Sequence, residues 1–249
     1  ASIVEAIHCL GVAKSFKQIK DIDLISKEES FYNIKGIFVN DEHYVDIMVS
    51  YDSSDKRIQK DAYVYRNISE YLGFINIVFF SPDDLDLIKG SPAVRRRFLD
   101  QNIGQTNKEY LQSLIKYKKI LKERNEFLKA FDYKNHNKDL FAVLTQALID
   151  EASVIIKTRE AFINTLNPYL NEIVGELSLG QEKSRMVYNS NCNVDNLWKK
   201  AEERMSYDFL LKTTTWGPTR DDIDILLNGN NAAIYGSQGQ IRSVTLTAK

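Results

Sequence analysis

The feature that most constrains the fold is the absence of glycine between Gly104 and Gly175, a span long enough for two consecutive helices. Apolar residues recur in it at helical spacing in two groups, separated by a polar connection at 133–138. The pattern predicts an antiparallel pair of helices with a break or restart at Asn167-Pro168. The apolar positions are Leu111, Leu114, Leu121 and Leu128, then Leu144, Leu148, Ile155, Phe162 and Leu166.

The first eighty residues are of mixed character. Residues 2–10 predict a helix whose first turn is closed by a capping box between Ser2 and Glu5. The near-continuous apolar run at 73–80 predicts a strand buried on both faces. Shorter β-type runs, separated by polar turns, occur at 37–39, 44–49 and 62–65.

Serine, threonine and proline mark the helix starts that follow, at Ser81-Pro82, at Ser91-Pro92 and in a capping box at 106–109. After the helical span we expect an α/β body to resume. The predicted elements are a strand at 185–188, a helix at 194–212, a strand and hairpin turn at 223–229, and a final helix after the loop at 236–239.

Composition excludes several classes of protein. Lysine plus arginine number 33 and aspartate plus glutamate 34, a net charge of −1, so the chain is not a uniformly basic nucleic-acid coat, although local basic patches remain open. Cys9 and Cys192 are too few for a disulfide framework and indicate a reducing compartment. His8, His43 and His136 lack zinc-ligand spacing.

The ends of the sequence carry expectations of their own. No apolar stretch is long enough to span a membrane, and the first residues lack the basic region of a secretory signal. The chain begins without methionine and stops within a predicted helix, so we expect it to be part of a longer protein.

The strongest local motif is YGSQGQIRS at 235–243, where a serine, a glycine and amide side chains open a helix. Free backbone N–H groups and the positive helix end can grip a phosphate there. The alternative is purely structural, with Ser237 as a helix cap and Gly239 as a turn residue, and this motif alone favours it slightly.

Two more segments carry charge in unusual patterns. WGPTRDD at 216–222 is a rigid turn that presents Arg220 either to a phosphate or to a neighbouring carboxylate. Arg95, Arg96 and Arg97 point to different sides of a helix, so one or two can pair within the fold while the others meet DNA phosphate. A basic face, by default solvated, comprises Lys108, Lys116, Lys118, Lys119, Lys122, Arg124 and Lys129.

Taken together and in order, these segments resemble the RecF family of bacterial recombinational-repair ATPases. The resemblance covers essentially the whole chain, and its ordered set of motifs is more specific than any one of them. The motifs are FSPDDL at 80–85, KGSPAVRRRFLD at 89–100, GPTRDD at 217–222 and SQGQIRS at 237–243, with IVEAI at 3–7 and KSFK at 14–17.

The resemblance implies an α/β fold of the ABC/SMC-type ATPase head, with mixed sheets and helices, interrupted by an antiparallel helical arm. The implied parts are an N-terminal part of the ATPase lobe at 1–105, the arm at 106–179, and a C-terminal part at 180–249 that contains the signature motif. The Walker A loop would precede residue 1 and Walker B would follow residue 249, so no catalytic residue is predicted within the chain.

The resemblance also implies ATP with Mg²⁺ as cofactor and an ATP-dependent homodimer. Across that dimer Ser237, Gln238, Gly239 and Gln240 would touch the γ-phosphate, while Ser2 would lie at the edge of Walker A and Arg220 near the nucleotide. Duplex DNA near single-strand gaps would be bound through its backbone. The implied DNA-binding residues are Lys17, Arg95, Arg96, Arg97, Lys118, Lys119 and Lys122.

The family role is a cytoplasmic one in DNA repair, recombination, replication and the SOS response to DNA damage, as a weak DNA-dependent ATPase that helps RecO and RecR to load RecA. Two alternatives stay open: a non-catalytic interaction module that docks a partner through residues 106–179, and another SMC-like ATPase head with a short arm.

Overall fold

The computed structural model divides into two compact units, one of residues 1–79 and 104–108 and one of residues 80–103 and 109–249. The predicted three-part division, with boundaries after 105 and 179, stays a prediction. The backbone alone is described for Ser2 and Lys138. The described residues are 2–17, 19–40, 43–130 and 138–249.

The first unit is built on a four-stranded antiparallel sheet and one long helix. Its elements are α1 (Ser2–Val12), β1 (Tyr32–Asn40), β2 (His43–Tyr51), β3 (Lys56–Lys60), β4 (Tyr63–Tyr65) and α2 (Ile68–Tyr71). The strands pair in chain order, β1-β2-β3-β4. The three predicted strands are confirmed as parts of β1, β2 and β4, whereas β3, with three cations and one apolar residue, shows no strand signal in the sequence.

The inner face of this sheet packs against α1. Alternate residues of the central strands point inward, so Ile47, Val49 and Ile58 are buried. Leu10 closes the same cluster from α1, and the hydroxyl of buried Tyr71 donates a hydrogen bond to the Leu10 carbonyl. The core therefore ties the helix to the sheet by apolar burial and by one satisfied polar group.

The predicted strand at 73–80 is wrong. Residues 76–81 have no regular secondary structure and belong to neither sheet of the described chain. Burial alternates along the run: the Phe79 ring stacks on Phe16 at 4.1 Å, whereas Val78 is 73% exposed. An apolar run can thus be held by side-chain packing on one face without joining a strand ladder.

A buried carboxylate joins α1 to the loop that follows it. Glu5 accepts hydrogen bonds from the Ser15 hydroxyl at 2.5 Å and from Lys17 Nζ at 2.6 Å. Burial alone would raise the pKa of Glu5, but the bonds from Lys17 and Ser15 outweigh it and hold the pKa below its usual value. The predicted capping box pairs Glu5 with the Ser2 side chain, which lies outside the described residues.

The second unit is mainly helical and carries a three-stranded antiparallel sheet of order β5-β6-β7. The remaining elements of the chain are α3 (Asp86–Lys89), α4 (Pro92–Thr106), α5 (Lys108–Ala130), α6 (Lys138–Leu177), β5 (Ser184–Asn189), α7 (Leu197–Leu211), β6 (Asp222–Leu227), β7 (Asn230–Asn231), α8 (Ala232–Tyr235) and α9 (Gln238–Ala248).

The antiparallel helix pair is confirmed. Three contacts show the antiparallel direction, because the residue number on α6 decreases as the residue number on α5 increases. They are Lys116–Glu151, Arg124–Thr145 and Phe127–Phe141. The predicted stripes face the core, since Leu128, Leu148 and Ile155 are buried. Of the predicted polar connection, residues 133–137 lie outside the described residues.

Two predicted helix boundaries are wrong. α6 runs without a break through Pro168, because packing of its long apolar face offsets the backbone hydrogen bond that proline removes. α4 continues through Thr106, so Asn107 rather than Thr106 is the non-helical residue before α5.

Within the described chain, no helix is both long and apolar enough to cross a bilayer.

The Glu5 cluster predicts a pH dependence of stability. Because the Glu5 pKa is lowered in the folded protein, its contribution is present above the unfolded pKa and is lost as the pH falls through the folded value. We expect Glu5→Gln to lose stability at neutral pH and to show a smaller further loss towards about pH 3 than the wild type. Urea unfolding across that range measures both; parallel pH profiles would contradict the assignment.

Candidate functional site

The start of α9 is exposed and carries the predicted phosphate-gripping motif. Ser237 is the N-cap, and its Oγ accepts the Gln240 N–H at 3.3 Å while Gln240 Oε1 accepts the Ser237 N–H at 2.7 Å. Ser237, Gln238 and Gly239 are all exposed. The motif therefore forms a complete capping box at an accessible helix N-terminus.

Gly239 has no structural reason to be glycine. It lies in the first turn of α9, not at a turn of positive φ, and a Cβ built on it would meet no atom within 4 Å. Alanine would be a better helix former at this position. The turn-residue interpretation of Gly239 is therefore wrong, and the open space above it suits close approach of another molecule.

Gln240 anchors the helix start to the rest of the unit. Its Nε2 donates to Glu182 Oε1 at 2.8 Å while its Oε1 completes the capping box. Both ends of this side-chain amide are thus engaged inside the fold. What the motif offers outward is backbone N–H groups, the Ser237 hydroxyl and the Gln238 side chain.

The 216–222 turn combines an exposed arginine with a buried aspartate. Arg220 is exposed and donates through Nη2 to the Thr214 carbonyl at 3.3 Å. Asp221 is fully buried and pairs with Arg159 of α6 at 3.2 Å. The structural alternative predicted a local pair between Arg220 and a neighbouring aspartate, and that prediction is wrong. Asp221 pairs with Arg159 of α6 instead, and Arg220 is exposed to solvent.

Arg159 is the centre of a buried polar network. Its guanidinium donates to Asp100 Oδ1 at 2.8 Å, to the Tyr110 hydroxyl at 3.0 Å and to the Pro218 carbonyl at 2.9 Å, besides Asp221. Burial alone would lower the Arg159 pKa, but Tyr110 and Asp100 outweigh it and the pKa lies above its ordinary value. The cation is thus kept charged, and its donors are used by acceptors within the fold.

Asp221 has further donors besides Arg159. The Tyr188 hydroxyl of β5 donates to Oδ2, and the Asn191 backbone N–H donates to Oδ1 at 2.8 Å. Burial raises the Asp221 pKa, and these hydrogen bonds oppose that rise. The network thereby joins α4, α5, α6, β5 and the 216–222 turn.

The three consecutive arginines of α4 have different roles. Arg95 makes a bidentate pair with Asp222, at 2.6 and 2.9 Å, and Arg96 donates to the Asp221 carbonyl at 2.8 Å. Burial raises the Asp222 pKa, but Arg95 outweighs it and the pKa lies below its usual value. Arg97 is exposed. This matches the expectation that one or two of them pair within the fold; DNA contact by the three stays a prediction.

The basic face of α5 is confirmed in part. Lys118, Lys119 and Lys122 are exposed and share one side of the helix, held only by loose pairs of 3.6 Å to Asp100 and 3.8 Å to Glu126. Such exposed pairs contribute little to stability and exchange readily for a phosphate.

Arg124, predicted on that basic face, is fully buried instead. It pairs with Asp208 at 2.9 Å and donates to Thr145 and Thr214. Burial lowers the Arg124 pKa, and the Asp208 carboxylate opposes that shift. The reason is its register, because Arg124 comes three residues after Leu121 and four before Leu128, on the apolar stripe of α5.

Of the remaining predicted residues, Lys17 lies in the first unit and its half-exposed ammonium pairs with Glu5. The side chain of Ser2 lies outside the described residues. Sequence reasoning missed Arg159, although a signal exists: it follows Ile155 by four residues and precedes Phe162 by three, a lone charge on an apolar stripe. A cation at such a position requires a buried partner.

Comparison with known proteins defines the class. No family model matches the chain. The chain is 34% identical over 258 residues to the DNA replication and repair protein RecF of Halalkalibacterium halodurans, covering all of this chain and 70% of the relative. It is 36% identical over 259 residues to RecF of Shouchella clausii, with the same coverage.

A solved structure of the recombination mediator protein RecF-ATP in the RecFOR pathway superimposes with a TM-score of 0.93 at 28% identity, over 99% of this chain and 69% of that one. The fold is therefore that of an ABC/SMC-type ATPase head with a helical arm, as predicted. Within that class, the chain belongs to the RecF family of DNA replication and repair proteins.

The buried network yields a stability prediction. Arg159→Met leaves Asp221 without its cation, so we expect a loss of about 3–5 kcal/mol in the free energy of unfolding. Because Asp221→Asn removes the stranded charge, the double variant should lose much less than the sum of the two single variants. Lys122→Met, which breaks an exposed pair with Glu126, is the control and should cost about 0–1 kcal/mol.

Chemical denaturation of the four variants and the wild type measures this coupling. Strictly additive losses would show that Arg159 and Asp221 do not act on each other.

Proposed function

We propose that this protein is an ATP-controlled DNA-binding protein of recombinational repair, in which ATP joins two copies head to head. The observation that carries the proposal is the N-terminus of α9, exposed, capped by Ser237 and open above Gly239. Such a terminus directs backbone N–H groups and the positive end of the helix dipole at an anion.

The arrangement suits a phosphate supplied by a second copy. The N–H groups of Gln238 and Gly239, with the Ser237 hydroxyl, can hold a γ-phosphate, and the absence of a side chain at Gly239 permits its close approach. The Gln240–Glu182 bond fixes the helix start before any ligand arrives. Relatives solved as RecF-ATP and RecF-ATPγS complexes support this choice of nucleotide.

ATP bound in this way supplies a phosphate that bridges two protomers, and its hydrolysis would release them. We assign no step to Mg²⁺. Among the described side chains, no three histidines, cysteines or carboxylates cluster in a way that holds a metal ion, and Ser2 lies outside them. A weak DNA-dependent ATPase activity of the full-length gene product belongs to the same proposal.

DNA would be bound through its backbone. The exposed lysines of α5, Arg97 of α4 and Lys17 are the cations that the fold leaves accessible among the predicted set. Arg95 pairs with the Asp222 carboxylate, and Arg96 donates to the Asp221 backbone carbonyl. Both would therefore act indirectly, by holding α4 in place. The proposed substrate is duplex DNA near single-strand gaps, with RecO and RecR as partners in RecA loading.

The first test concerns dimerisation. We expect ATP with Mg²⁺ to double the molar mass of the full-length gene product, and Ser237→Arg to abolish the doubling, because a long cation would fill the space needed by the partner's phosphate. Multi-angle light scattering measures the mass. Ser26→Arg, at an exposed loop position, is the control and should dimerise normally.

A wild-type mass that ignores ATP would contradict the proposal. It would favour the non-catalytic interaction module instead. Circular dichroism of both variants confirms that loss of the Ser237 cap, which costs about 1 kcal/mol, has not unfolded the protein.

The second test concerns DNA. Charge reversal of Lys118, Lys119 and Lys122 to Glu should weaken duplex binding and reduce the salt dependence of the binding constant by about three in slope, one per lost phosphate contact. Reversal of Lys27, Lys199 and Lys212, three scattered exposed lysines, changes the net charge equally and is the control. Fluorescence anisotropy at several salt concentrations separates the two; equal losses would remove α5 from the interface.

A further inference from the structure

A cleft of about 560 Å³ lies on the second unit, between the later turns of α6 and the strand β5. None of the α9-start residues and none of the predicted DNA-binding residues lines it. The helix contributes asparagines to one wall, and the other wall holds Lys183, which precedes β5, with Ser184 and Arg185 of the strand.

The asparagines are Asn164, Asn167 and Asn171, which share one face of α6 because they are spaced by three and four residues. Asparagine is a poor residue for a helix interior, so each needs a reason. Asn167 has one, since its amide both donates to the Met186 carbonyl at 2.9 Å and accepts the Met186 N–H at 2.7 Å. It covers the edge of β5.

The other two asparagines keep hydrogen-bonding groups in reserve. Asn171 uses only its oxygen, which accepts the Ser184 N–H at 3.2 Å. Asn164 is exposed, and its side chain makes no hydrogen bond within the described chain. The whole side-chain amide of Asn164 and the amide nitrogen of Asn171 therefore remain available to a molecule in the cleft.

The opposite wall is cationic. Lys183 and Arg185 are exposed, alternate with the buried Ser184 and so project to the same side. Neither has an ion pair with any described residue. The Lys183 backbone is held by Asn228, whose Oδ1 accepts its N–H at 2.8 Å.

Electrostatics at the cleft favour an anion. No aspartate or glutamate is among the residues that line it. The adjacent Glu182 is engaged by Gln240. Two cations, the Asn164 amide, the amide nitrogen of Asn171 and no carboxylate in the lining make a site that attracts negative charge and can also hydrogen-bond a neutral polar group.

We propose that this cleft binds a nucleotide, free or within a nucleic-acid strand, with its phosphate on Lys183 and Arg185. Asn164 offers an amide donor and acceptor, and Asn171 offers its amide nitrogen as a donor. Base edges likewise combine hydrogen-bond donors and acceptors. Leu226, also in the lining, offers apolar contact to the sugar or base. The inference uses none of the residues that carry ATP-dependent dimerisation.

Two probes distinguish the sources of the phosphate: a fluorescein-labelled single-stranded oligothymidylate and thymidine monophosphate as its competitor. The full-length gene product is compared with Lys183→Glu/Arg185→Glu and with Asn164→Asp, which adds a charge without changing shape. We expect the double variant to lose about tenfold or more in affinity at low salt and about two units of salt slope. Asn164→Asp should lose affinity in the same direction.

The control is Lys157→Glu/Lys199→Glu, which changes the same net charge at exposed positions outside the cleft. Loss of monophosphate competition in the cleft variants supports a free nucleotide, and loss confined to the oligonucleotide supports a strand. Unchanged binding of both probes by the cleft variants, or an equal loss in the control, would overturn the proposal. Ser237→Arg should leave cleft binding intact, so failure of the dimerisation proposal is seen separately.

Discussion

The second unit depends on one buried cation. Arg159 lies in the middle of the longest helix, on its apolar face, and reaches Asp100, Tyr110, Pro218 and Asp221. A buried guanidinium is tolerated only where its donors find acceptors with good geometry, so α4, α5, α6 and the 216–222 turn have a single mutual arrangement that satisfies it. The network therefore adds a geometric requirement to the apolar packing of these elements.

A second buried ion pair, Arg124–Asp208, lies further along the two helices. Arg124 joins α5 to Asp208 of α7, and its guanidinium lies over the rings of Phe141 and Trp216. The two arginines lie at different levels of the α5–α6 pair and contact the same segment between α7 and β6, Arg124 at Thr214 and Arg159 at Pro218. Together they set both the lengthwise register of the arm and the path of the chain from α7 into β6.

The same physics sorts the charges into internal and external sets. The Asp221 carboxylate pairs with Arg159, the Asp222 carboxylate pairs with Arg95, and the Asp221 backbone carbonyl accepts a hydrogen bond from Arg96. These cations are therefore engaged within the fold. The cations that remain accessible on the second unit include Arg220, the lysines of α5, and the pair Lys183 and Arg185. The functional surfaces are therefore defined largely by which cations the interior does not need.

The sequence by itself determined the helix pair, most strand positions, the helix starts at serine and proline, and the family, because these follow from spacing along the chain. It located the α9 motif correctly for the same reason. Only tertiary structure decided that Arg124 and Arg159 are buried, that Pro168 lies inside a helix, and that residues 73–80 form no strand. The apolar stripes direct both arginines toward the core, but a buried cation also needs a partner distant in sequence, Asp208 for Arg124 and Asp221 for Arg159. Helical periodicity does not identify such partners.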